Sequence, residues 1–175
     1  MNMRMNKRLN TTAEGGFTLI ELIVVIVILG ILAATALPKF ASLGGDARMA
    51  SLQAAKGSLS SVVAMAHGKY LINPSVAPSF DGTTLGMSNG YPKADTTLFA
   101  AAGLSSDYVQ VGGAGAQVNA TANTPLVTST QTAFIPSSLS GKAGGLDCYV
   151  IYTEAASGGT PTVAMSPTIT ADKCN

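Results

Sequence analysis

A run of apolar residues from Phe17 to Leu37, broken by a single ionisable side chain, Glu21, constrains this chain more than any other feature. As a helix it would be about 31 Å long, close to the thickness of a bilayer's hydrocarbon core. Arg4, Lys7 and Arg8 precede it. By the positive-inside rule these cations keep the leader cytoplasmic and send the rest of the chain outward. An ordinary secretory signal is the rival reading, since Ala34-Thr35-Ala36 offers a small-residue cleavage site. Against it, the apolar core of such a signal is usually about 7–15 residues long, and this run is longer and contains Glu21. A carboxylate at mid-bilayer costs about 2.5–3.5 kcal/mol on insertion scales. Glu21 avoids most of that cost by lying near the start of the helix, where it snorkels to the interface and meets the positive end of the helix dipole.

The stretch Gly15-Gly16-Phe17-Thr18-Leu19-Ile20-Glu21-Leu22, followed by this run, resembles the prepilin signal of type IV pilins. The resemblance is strong from Gly15 to about Tyr70, and ILGILAATALPKFASLGGDARMASLQ is similar to the mannose-sensitive haemagglutinin pilins of the type IVa class. The C-terminal half resembles the family in its plan and in its two cysteines. The resemblance implies that a membrane peptidase cuts between Gly16 and Phe17 and that the new Phe17 amine is methylated. It implies that Glu21 pairs with the Phe17 amine of a neighbouring subunit and sets the axial register. The partners implied are copies of the chain itself, a prepilin peptidase, the pilus assembly machinery and a host or abiotic surface. The precursor would sit in the inner membrane, and the mature chain in an extracellular pilus serving attachment. Two alternatives stand beside this: a type II secretion pseudopilin, which a calcium site near the C-terminus would favour, and a membrane-anchored extracellular domain that never polymerises. The cysteine pair favours the pilin.

Past the apolar run, Pro38 removes a backbone donor and is expected to kink the helix. The family resemblance implies melting between Gly30 and Pro38 in the filament. Gly30, Gly44 and Gly45 each weaken a helix by up to about 1 kcal/mol, and serve either close packing or local melting. Beyond Pro38, Leu52, Ala55, Leu59, Val62, Ala66 and Tyr70 recur at spacings of three and four, one face of an amphipathic helix. Asp46, Arg48, Lys56 and Lys69 lie mostly off that stripe, and Asn73-Pro74 is a stop signal.

From Asn73 to Gly103 the chain reads as loop, with turns at Asp81-Gly82 and Asn89-Gly90 and a short helix over Thr96–Ala102. Strands are expected at 108–111, 133–135, 148–153 and 162–166, with another possible at 126–129. The expected fold is α+β: a long N-terminal helix packed on a small antiparallel sheet, the pilin fold of the resembling family. Its parts are a leader (1–16), a transmembrane or filament-core helix (17–40), an amphipathic half-helix (41–72) and a globular head (73–175).

Little points to catalysis. The charged share is 11%, against about 25% for an ordinary soluble domain. With a net charge of +1 and no basic stripe beyond the leader, no nucleic-acid partner is indicated. His67 is the single histidine, and a lone helical histidine is far more often structural than catalytic. Asp81, Asp95, Asp107, Asp147, Glu154 and Asp172 are scattered without a calcium-loop spacing. No catalytic residue, metal ligand or cofactor is expected, and the chain does not read as an enzyme. Cys148 and Cys174 in an exported chain read as one disulfide, worth about 3.5 kcal/mol in the chain-entropy account.

Overall fold

The computed structural model describes residues 16–175. The leader reading, with Arg4, Lys7 and Arg8, lies outside the described residues apart from Gly16. Helix α1 runs Leu19–Ile72, and the chain divides into two compact units between Lys39 and Phe40, just after Pro38.

In the first unit, Leu19–Leu37 is long and apolar enough to cross a membrane, and none of it is buried. Helical geometry continues through Gly30 and Pro38, and a side chain at Gly30 would meet nothing within 4 Å.

In the second unit α1 becomes one-sided. Leu52, Ala55, Leu59, Val62 and Ala66 are buried, joined by Val63, while Tyr70 is half-buried. The head carries a four-stranded antiparallel sheet in the order β5-β6-β7-β8, formed by Tyr108–Gly112, Gln131–Pro136, Val150–Thr153 and Thr162–Met165. Its register pairs Gln110 with Phe134, Phe134 with Val150, and Val150 with Met165. Alternation on β7 buries Val150 and Tyr152, and these share one core with Leu52 and Leu59 of α1 and with Phe134. The Tyr152 hydroxyl donates to the Pro92 carbonyl at 2.5 Å. Burial, reinforced by nearby Glu154 and Asp95, pushes its pKa well above the ordinary phenol range. β8 is a free edge of four residues, bracketed by Pro161 and Pro167.

The segment read as loop from Asn73 to Gly103 holds more structure than its composition suggests. Ser79–Phe80 (β1) pairs with Thr83–Thr84 (β2), and Met87–Ser88 (β3) with Tyr91–Pro92 (β4). Asp81 and Gly82 (φ 47° and 78°) close the first hairpin, Asn89 and Gly90 (φ 51° and 84°) the second. Both central residues of each turn are left-handed, which is what a two-residue type I′ hairpin demands and why Asp-Gly and Asn-Gly stand there. The short helix is α2, Thr96–Ala101, capped by the Asp95 side chain. The possible strand at 126–129 does not form, since Val127 makes only an isolated bridge to Val118. Gly- and Ala-rich chain on its N-terminal side has no apolar alternation to hold a longer ladder.

Leu59 is fully buried and Ser60 beside it is exposed. Leu59→Ala is expected to lower the unfolding free energy of the head by about 2–5 kcal/mol, and Ser60→Ala to change it by less than about 0.5 kcal/mol. Denaturant unfolding followed by circular dichroism checks both.

Candidate functional site

The first turn of α1 is built by its own sequence. Thr18 precedes Leu19 as the N-cap, and Glu21 stands three residues later, a Thr-x-x-Glu spacing ahead of an apolar run. The Glu21 N–H donates to the Thr18 hydroxyl at 3.3 Å. In return Glu21 Oε2 accepts the Thr18 N–H at 2.9 Å and the Thr18 hydroxyl at 2.7 Å. This reciprocal pair is a capping box, satisfying backbone donors that no helical carbonyl reaches. All three bonds use Thr18 and Glu21, which lie beyond the Gly16–Phe17 junction. Among the described residues, Glu21 Oε1 accepts no hydrogen bond. Phe17 is 89% exposed, and with Ile20, Glu21, Val24 and Val25 it borders an open, almost wholly apolar groove along the helix.

Of the residues singled out from sequence, Gly16, Phe17 and Glu21 therefore meet at one end of α1, while Gly30 and Pro38 lie further along it. Cys148 and Cys174 belong to the second unit, where they form a disulfide with Cα atoms 5.2 Å apart. Thr18 was readable as a cap from its spacing to Glu21, yet the carboxylate draws attention first because it is the charge in an apolar run.

Three of the remaining polar candidates, His67, Glu154 and Asp95, are occupied structurally. His67 Nδ1 lies 2.8 Å from the Gly90 carbonyl, which requires a proton on that nitrogen, and its ring stacks on Tyr91 at 4.1 Å. Glu154 accepts the Ala94 N–H at 2.6 Å, and Asp95 caps α2. Among the described residues no three His, Cys, Asp or Glu side chains come together as a metal site.

Residues 12–37 match the family model described as the prokaryotic N-terminal methylation motif. Over 51 residues the chain is 49% identical to the type IV narrow pilus major component PilA5 of Thermus thermophilus, covering 29% of this chain and 44% of that protein. The chain thus spans less than half the length of the curated relative it matches. No solved structure matches. Residues 12–37 thus carry a prokaryotic N-terminal methylation motif, and the longer match is to the major component of a narrow type IV pilus.

Thr18→Val removes the hydroxyl from the capping box and is expected to weaken the first turn by about 0.5–2 kcal/mol, whereas Thr18→Ser retains it. Amide exchange of residues 20–22 in detergent micelles should quicken in the valine variant alone.

Proposed function

We propose that this chain is a pilus subunit, cut after Gly16, methylated on Phe17 and polymerised through its N-terminal helix into a surface fibre. The observation that carries the reading is the pairing of a helix uncovered on every side, Leu19–Leu37, with a carboxylate fixed in its first turn. Among the described residues nothing covers the apolar helix. Lipid serves the precursor, and the helices of other copies serve the fibre. Cleavage creates an amine at Phe17, and in an apolar fibre core that ammonium is costly unless it meets an opposite charge. Glu21 of a neighbour supplies it, through the oxygen its own cap leaves open.

The capping box gives this pairing a fixed acceptor. Its bonds survive cleavage, because both partners lie on the mature side of the cut. The carboxylate is thereby held in one rotamer by its own chain while it receives the amine of another. Between Gly30 and Pro38, weak helix propensity and a missing backbone donor favour local loss of helix when subunits are drawn into the fibre. The heads then face outward, and attachment to surfaces, as in mannose-sensitive haemagglutinin pilins, is the function we assign to them. A prepilin peptidase and the assembly machinery are the partners this route requires.

Two sets of variants test it. Gly16→Val is expected to leave full-length precursor in the membrane fraction, and normal fibres from this variant would overturn the processing step. Glu21→Gln and Glu21→Leu are expected to insert and be cut normally, yet to leave sheared fibres depleted of pilin when each is the sole copy. Mass spectrometry of the sheared and membrane fractions reads both. A wild-type ratio for Glu21→Leu would end the proposed pairing.

A further inference from the structure

The last ten residues, Ser166–Asn175, run as loop and turns after β8, and they lie against α1 at its paired glycines. Gly45 is buried there, and a Cβ on it would stand 1.8 Å from the carbonyl oxygen of Ala171. A Cβ on Gly44 would stand 3.0 Å from Asn175 Oδ1. One turn further along, Arg48 reaches across the same segment, donating from Nη1 to the Cys174 carbonyl at 2.8 Å and from Nε to Ser138 Oγ at 3.1 Å. Both glycines are packed against the C-terminal segment.

What keeps it seated is a short set of bonds. The Cys148–Cys174 disulfide is wholly buried. Lys173 lies 3.2 Å from Asp147, and the Thr168 hydroxyl also bonds Asp147. The Thr168 hydroxyl, aided by Lys173, holds the Asp147 carboxyl below its ordinary pKa. That contribution is present above the ordinary aspartate value and is lost as pH falls through the lowered one. Both of these polar contacts are at the surface and weak, so the disulfide dominates.

We propose that the Cys148–Cys174 disulfide is an oxidation-dependent latch on α1, holding the C-terminal segment over Gly44 and Gly45. In forming it, two thiols surrender two electrons and two protons to the disulfide of a protein oxidant, which leaves as a dithiol. The reverse needs a dithiol that becomes oxidised in turn. Two adjacent helical glycines weaken α1 relative to alanine, so this stretch depends on the backbone laid over it. Reduction unlatches residues 43–48 of the helix together with 166–175, and leaves the four-stranded sheet standing on its own core. The inference concerns the single chain and does not depend on the fibre reading.

Hydrogen exchange on the full-length chain in detergent micelles, with and without dithiothreitol, tests it. Reduction is expected to speed exchange at least about tenfold in 43–48 and 169–175, and less than about twofold in β6 and β7. Unchanged exchange in 43–48 would overturn the latch, and so would equal acceleration in the sheet, which signals general unfolding. Since both sulfurs are buried, the rate of thiol release by dithiothreitol reports how often the segment lifts. Arg48→Gln in the oxidised protein is expected to raise that rate about tenfold. Gly57→Ala, where a Cβ meets nothing within 4 Å, is expected to leave it unchanged. A wild-type rate for Arg48→Gln, or an equal rise in both variants, would break the link between the helix and the disulfide.

Discussion

An apolar helix without an apolar partner is the constraint behind everything else in this chain. From Leu19 to Leu37 the side chains are exposed on all sides, a state water does not tolerate at roughly 25 cal/mol per Å² of apolar surface. The chain contains no second apolar element of comparable length to lay against it. Its cover has to come from outside, and the chain's polar features are arranged around that need. The head keeps its own core on the other half of α1, where the apolar residues narrow to one face and Leu52, Leu59 and Ala66 are satisfied within the chain. One helix thus has two kinds of surface, one completed by its own fold and one that is not.

Much of this division was legible from residue order. The change from all-round apolarity to a three-and-four spacing at Leu52 marks where the helix gains a partner of its own, and the burial follows that stripe. The strands around Val109, Phe134, Ile151 and Val163 announced themselves through β-branched and aromatic residues set between turn residues. The two hairpins near Asp81-Gly82 and Asn89-Gly90 did not, because two-residue strands are too short to show alternation and only their turns leave a trace. The seat of Ala171 on Gly45 and the reach of Arg48 to Cys174 were beyond the sequence altogether. They join positions more than a hundred residues apart, and neither spacing nor composition encodes such contacts. At the N-terminus the capping box was written plainly as Thr18-x-x-Glu21, but a charge in an apolar run invites an intermolecular explanation before a local one.

The local and the intermolecular explanations of Glu21 are compatible in physical terms. A carboxylate has room for about four donors, and the cap uses one oxygen. Holding the side chain still removes rotamer entropy before any partner arrives, so an incoming amine meets a fixed target. The disulfide region obeys a similar logic, where a restraint set within the chain decides what a weak stretch of backbone can do.

β8 ends the sheet as four residues between Pro161 and Pro167. Were copies of this chain packed side by side, as proposed, an exposed sheet edge would be a hazard, because it is offered to matching edges. Prolines at both ends of so short a strand deny an incoming chain a continuous ladder to extend. At this edge, crowding is then kept from joining the sheet of one head to that of the next.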